Sequence, residues 1–199
     1  MDSRTLAAYD AAAAAFADTW HAQPPPADMH TLLRRHFRPG PTADIGCGSG
    51  RDTAWLAANG FAATGYDASA GLLAEARRRY PEIAFHPAVL PDLAGIAGGR
   101  FVNILCETVL MHLPGAATTP AVTRLMTLLA PGGTLYLSWR MTDGADRRDA
   151  QGRLYAAVDP ALVFAGLGDA AILHDEQGDN VSSGRTVRRL VVRKQGDTG

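Results

Sequence analysis

Apolar residues at Leu6, Tyr9, Ala13, Phe16 and Trp20 recur every three or four positions. That spacing predicts a helix over residues 3–19 with these side chains on one face. Pro24-Pro25-Pro26 ends it, a second helix is expected over 28–37, and Pro39-Gly40-Pro41 breaks the chain again. From there the pattern alternates. Short apolar runs predict strands at 42–46, 61–66, 82–86, 101–106 and 133–139, and helical spacing predicts helices at 52–59, 70–79 and 118–129. Alternation of this kind specifies an α/β fold, a mostly parallel, doubly wound sheet with helices on both faces. Residues 140–157 are polar and arginine-rich and read as a solvated loop over the sheet edge. A short helix at 159–166 and strands at 170–176 and 185–193 complete the pattern, with a frayed tail over 195–199. One domain is expected: a helical cap over 1–38, a ligand-binding core over 41–139, and a substrate-side loop with the final strands over 140–195.

The glycines carry the chemistry. Gly46, Gly48 and Gly50 alternate between a strand ending at Ile45 and a helix beginning near Asp52. A strand, a glycine turn and a helix N-terminus form a cradle where a polar ligand meets bare backbone. The next strand ends in Asp67, about 20 residues on, where a carboxylate accepts ribose hydroxyls. The pattern therefore points to a nucleoside-containing ligand. A dinucleotide fingerprint needs a further glycine at position 51, which is Arg51, and no phosphate-binding G-x-x-x-x-G-K-[ST] run is present.

Composition narrows the partners. The 199 residues are 47% hydrophobic and 20% charged, with a net charge of -1, so no bulk attraction to nucleic acid or to an anionic membrane is expected. No apolar run is long enough to predict a membrane span. Cys47 and Cys106 form no CxxC pair and suggest no metal site. The alanine run near the N-terminus reads as helix and not as a signal peptide, and a cytoplasmic location is the default expectation. Asn180-Val181-Ser182 matches a glycosylation acceptor, which means little without a secretion signal.

Asp44-Ile45-Gly46-Cys47-Gly48-Ser49-Gly50-Arg51-Asp52 resembles the first motif of class I S-adenosylmethionine-dependent methyltransferases. The stretch Gly65-Tyr66-Asp67-Ala68-Ser69, with Leu72-Leu73 after it, is similar to that family's second strand and helix. Asn103 to Pro114 resembles its fourth strand. Leu128-Leu129-Ala130-Pro131-Gly132-Gly133 resembles the turn into its fifth. The ordered set covers roughly residues 40–140. The resemblance implies a Rossmann-like seven-stranded sheet whose last strand, Val187 to Arg193, is antiparallel. It implies S-adenosylmethionine as methyl donor, S-adenosylhomocysteine as product and a small-molecule acceptor. It lacks the Asn/Asp-Pro-Pro-Tyr and Pro-Cys segments of nucleic-acid base methyltransferases.

The same resemblance implies cofactor contacts from Tyr9, Asp44, Gly46, Cys47, Gly48, Gly50, Asp67, Ala68, Leu72, Ala88, Val89 and Glu107. Asp67 is expected to accept both ribose hydroxyls, although a helix cap is its plain alternative. Asp44 either meets the cofactor ammonium, directly or through water, or bonds the glycine-turn amides. The family often places an acid after strand three for the adenine amino group. Here that stretch offers only backbone near Ala88 and Val89. Asn103 replaces the usual Asp of strand four and reads as structural. Arg51 is expected to face solvent or a partner carboxylate, with the cofactor carboxylate as its alternative. His112 is the general-base candidate, since an unperturbed imidazole titrates near neutral pH, with a histidine that caps or packs without titrating as the equal alternative. Arg140 is the candidate for an anionic substrate. Two other readings stay open: a non-catalytic S-adenosylmethionine-binding sensor or partner subunit, and a NAD-dependent oxidoreductase.

Overall fold

The computed structural model describes residues 1–196; the last three positions of the expected tail lie outside it. Three helices come first, α1 (Ser3–Ala11), α2 (Ala13–Ala22) and α3 (Ala27–His36). The alternating region follows as β1 (Pro41–Ile45), α4 (Arg51–Ala58), β2 (Ala62–Asp67), α5 (Ala70–Arg79), β3 (Ala84–Pro87), β4 (Phe101–Cys106), α6 (Thr118–Leu128) and β5 (Leu129–Arg140). A two-stranded hairpin, β6 (Arg147–Arg148) and β7 (Leu154–Tyr155), precedes α7 (Pro160–Leu167), β8 (Ala171–Asp179) and β9 (Thr186–Arg193). The main sheet has the order β3-β2-β1-β4-β5-β9-β8. β9 runs antiparallel to both β5 and β8, and every other neighbouring pair is parallel. The expected architecture holds, including the antiparallel last strand.

Burial explains why these segments are strands. Successive side chains of a strand point to opposite faces. On β4, Ile104 and Cys106 join the core under α6 and α7, while Leu105 joins the core under α3 and α4. β5 divides the same way, Leu135 and Leu137 against Tyr136, and so does β9, Leu190 and Val192 against Val191. Strands covered on both faces need apolar residues at every position, which is the continuous run seen in the sequence.

The single helix expected over 3–19 is two helices. Ala12 leaves helical geometry at φ -130 and ψ 29. The bend lets both helices pack on α5. Asp10 accepts from the Ser69 hydroxyl at 2.6 Å and from the Gly71 N–H at 3.1 Å, so α1 carries an anion to the N-terminus of α5. Alanine has no turn chemistry, so nothing local marks the bend.

The arginine-rich loop is also more ordered than expected. Arg148 grips both carboxylate oxygens of Asp2 at 2.9 Å each, and the Leu154 N–H donates to the Thr5 hydroxyl at 2.8 Å. The β6–β7 hairpin is thereby fastened to α1, and with Arg153 paired to Asp149 two of the supposedly solvated arginines have fixed partners.

Asn103 is fully buried at β4. Its amide accepts from the Arg38 N–H at 3.1 Å and donates to the Arg38 carbonyl at 2.7 Å and the Thr42 hydroxyl at 2.9 Å. It ties the segment before β1 to the central sheet, the structural role expected of it. Asn103→Ala strands these buried groups and is expected to lower the unfolding free energy by about 1–3 kcal/mol, read from urea denaturation. An unchanged stability would contradict this role.

Candidate functional site

β1, β2 and β4 lie side by side and point the same way, so their C-terminal ends meet at one edge. The glycine turn leaves β1 at that edge. Gly46, Gly48 and Gly50 have φ of 77, 54 and 82, in the left-handed region that other residues avoid. The Gly46 and Cys47 N–H groups both donate to the Tyr66 carbonyl, at 2.7 and 3.1 Å, which locks the turn to β2. A Cβ at Gly46 would stand 2.3 Å from Val109, and one at Gly48 would stand 3.0 Å from the Trp20 ring. A Cβ at Gly50 would meet Phe85 at 2.7 Å. Gly50 therefore serves the packing of the turn on β3.

Asp67 ends β2 beside this turn. One carboxylate oxygen accepts from the Gly48 N–H and the other from the Ser69 N–H, both at 2.8 Å. A carboxylate has about four acceptor positions, so each oxygen keeps capacity for a hydroxyl donor. Burial raises its carboxyl above the ordinary range, against the pull of these amides. The Ser69 hydroxyl, and not Asp67, caps α5.

Two further carboxylates stand close by. Asp44 is buried under the turn and accepts from the Thr53 hydroxyl at 2.6 Å. Burial, then the charges of Asp52, Asp67 and Glu107, push it up to about 8. Glu107 follows β4 and accepts from the Ser138 hydroxyl and from the Asn180 amide, the latter at 3.1 Å. Burial and the Asp52 charge push it up to about 7, although the Ser138 hydrogen bond works against the rise.

Aromatic side chains cover the turn from α1 and α2. Tyr9 packs on Phe16 and Trp20 at ring separations of 5.1 and 5.9 Å. The Tyr9 hydroxyl lies 2.9 Å from His112 Nε2, and His112 Nδ1 lies 2.6 Å from the Leu154 carbonyl. A carbonyl only accepts, so Nδ1 carries the proton and Nε2 accepts from Tyr9. Both ring nitrogens are engaged. Burial, with the Arg153 and Arg140 charges, pulls the imidazole down to about 4 despite the Leu154 bond. This corrects the near-neutral titration on which the general-base expectation rested: His112 is a neutral, buried partner of Tyr9. Arg153 stacks over Tyr9 and Phe16 and pairs with Asp149.

These groups surround a cavity of about 190 Å³. Of the expected residues, Tyr9, Gly46, Cys47, Gly48, Asp67, Leu72, Glu107, His112 and Arg140 line it. Asp44, Gly50, Ala68, Ala88 and Val89 do not. The Ala88 N–H is engaged by the Asp67 carbonyl at 2.9 Å, and the Val89 carbonyl by the Leu93 N–H at 2.9 Å. An adenine amino group needs an acceptor, and of these two backbone groups only the Val89 carbonyl is one. Arg51 meets Asp52 at 3.2 Å and the Trp20 carbonyl at 2.9 Å, fixing the end of α2 to α4.

Trp20, Gln23, Thr108, Asn180, Ser182 and Ser183 also line the cavity, and no motif in the sequence marked them for it. Asn180 and the two serines sit in the turn between β8 and β9, far along the chain. The signals there were Gly178-Asp179-Asn180, which marked only a turn, and the Asn180-Val181-Ser182 acceptor match.

A family model described as a methyltransferase domain matches residues 43–133. Trans-aconitate 2-methyltransferase of Methylobacterium nodulans is 41% identical over 100 residues, covering 49% of this chain and 37% of that protein. Ubiquinone biosynthesis O-methyltransferase of Aromatoleum aromaticum is 34% identical over 99 residues, covering 48% and 42%. The matched region thus spans less than half the length of these relatives. Over residues 43–133 the chain is therefore similar to S-adenosylmethionine-dependent methyltransferases, as its ordered motifs implied. The Burkholderia thailandensis 1,6-didemethyltoxoflavin-N1-methyltransferase, solved with 1,6-didemethyltoxoflavin and S-adenosylhomocysteine, shares the fold at a TM-score of 0.77 and 23% identity, over 97% of this chain and 88% of that one.

The matched segment holds the glycine turn, Asp67 and Glu107, while the aromatic cover and the β8–β9 turn lie outside it. Glu107 supplies a test of the electrostatics. A glutamate titrates near 4.5 when unfolded and near 7 here. Between those values the fold binds the extra proton, so stability from this group is full below 4.5 and is lost as pH rises through 7. Glu107→Gln removes the loss. Urea unfolding at pH 5 and pH 8 should show the variant gaining on the parent by roughly 1–3 kcal/mol at the higher pH. A pH-independent difference would contradict the raised carboxyl.

Proposed function

We propose that this chain binds S-adenosylmethionine at the glycine turn and transfers its methyl group to a small-molecule acceptor by in-line displacement. The observation that carries the reading is Asp67: a carboxylate fixed by the Gly48 and Ser69 amides, with free lone pairs beside a turn that tolerates no Cβ at Gly46. The donor set fits the group. Asp67 suits a pair of ribose hydroxyls, and the carboxylates of Glu107 and Asp52 on the cavity wall suit a cation.

When bound, S-adenosylmethionine supplies a methyl group on a positively charged sulfur whose leaving form is a neutral thioether. The chain itself has to bind, orient and exclude water. Glu107, held by Ser138 and Asn180, is placed at the sheet edge to ionise when a cation enters beside it. Tyr9 and Trp20 close the cavity from the side of the first helices. Alignment of this kind supplies roughly 7–11 kcal/mol in favourable systems. His112 contributes by holding the Tyr9 hydroxyl in place. The acceptors in the relatives' names, trans-aconitate and ubiquinone precursors, are small molecules, which supports that class here.

The parent protein is expected to bind S-adenosylhomocysteine and not NAD in calorimetry. Asp67→Ala should weaken S-adenosylhomocysteine at least tenfold, since a charge-assisted hydrogen bond contributes roughly 1.5–3 kcal/mol. Unchanged affinity in a variant that keeps its far-ultraviolet circular dichroism would refute the assignment. Binding of NAD in place of S-adenosylhomocysteine would refute the cofactor.

A further inference from the structure

A second cleft, of about 460 Å³, opens beside the first, and no part of the cofactor reading uses it. Arg140 lines both. It ends β5, where pairing with Val187 of β9 brings two loops face to face. The Met141 N–H donates to the Thr186 carbonyl at 3.0 Å across the junction. One loop then supplies Thr142, Asp143 and Arg147, and the other supplies Arg185.

The charge here is unbalanced. Three guanidiniums face the cleft against the single carboxylate of Asp143. Neighbouring arginines have acidic partners: Arg148 has Asp2, Arg153 has Asp149, Arg188 has Asp175 and Arg189 has Asp28. Among the described residues, Arg140, Arg147 and Arg185 form no ion pair. Arg140 Nε and the Thr142 hydroxyl are shut off from water with no hydrogen-bond partner. Unpaired buried donors cost free energy until an acceptor reaches them. Stacking holds the Arg140 guanidinium 4.9 Å from the Tyr155 ring centre, between the two spaces.

We propose that this cleft anchors the methyl acceptor, and that the acceptor is a small organic acid bearing two or more carboxylates. The proposal rests on the methyltransferase reading above. Planar guanidiniums match carboxylates in two-point contacts. Three of them against one Asp leave two positive charges to be met. Arg140 would then bridge an acid held in the cleft to the cavity at the glycine turn.

The test is calorimetry on the protein loaded with S-adenosylhomocysteine, with tricarballylate as the probe. Saturable binding is expected, with none for its neutral trimethyl ester. The Arg147→Ala/Arg185→Ala double variant should weaken tricarballylate at least tenfold and leave S-adenosylhomocysteine affinity unchanged. Both side chains are exposed, so the fold survives their removal. Absence of tricarballylate binding, equal binding of the ester, or unaltered affinity in the double variant would overturn the subsite while the cofactor reading stands. Inorganic phosphate binding as tightly as tricarballylate would overturn it too, as a site for any anion. Failure of S-adenosylhomocysteine itself to bind would instead overturn the methyltransferase reading beneath it.

Discussion

Like charges gathered at one sheet edge are the constraint on which the rest of the structure depends. Because β1, β2 and β4 are parallel neighbours, Asp44, Asp67 and Glu107 arrive together at their C-terminal ends. Each is raised above the ordinary carboxyl range, chiefly by burial. Such a group is costly unless donors or a cation meet it. The fold supplies the donors: the Thr53 hydroxyl for Asp44, two backbone amides for Asp67, and Ser138 with Asn180 for Glu107. Among the described residues, none of the three forms an ion pair. A positively charged ligand would complete the set.

The surrounding architecture follows from holding that edge dry and fixed. α1 and α2 bend at Ala12 so that aromatic rings reach over the glycine turn while Asp10 stays on α5. Arg51 and Asp52 join the end of α2 to the helix that leaves the turn. The β6–β7 hairpin is bound to α1 through Asp2 and Thr5, which places the Leu154 carbonyl against His112. Segments that are far apart in sequence thus converge on one cavity. Beyond Arg140 the sign of the charge reverses, from carboxylates at the glycine turn to guanidiniums in the second cleft.

The parts legible in the sequence were those whose chemistry is local. Alternating apolar runs marked the strands, and glycines at 46, 48 and 50 marked the turn because only glycine accepts its φ angles. Asp67 was visible because its spacing from the turn is set by one strand–helix–strand unit. The rest depended on contacts no local pattern encodes. Ala12 breaks a helix for the sake of packing on α5. His112 looked like a free base, and only the fold shows both its nitrogens engaged. Arg148 and Arg153 looked solvated, yet their partners lie in the ordered structure. Asn180 reaches Glu107 across 73 positions of sequence.

The most direct test of the carboxylate ring is the proton balance of S-adenosylmethionine binding at pH 6.5, measured by calorimetry in buffers of different protonation enthalpy. Asp44, near 8, and Glu107, near 7, both hold protons there. A cation entering among them favours the ionised forms. Net release of protons from the protein is the predicted result. Zero exchange or net uptake would contradict the view that these carboxylates await a positive charge.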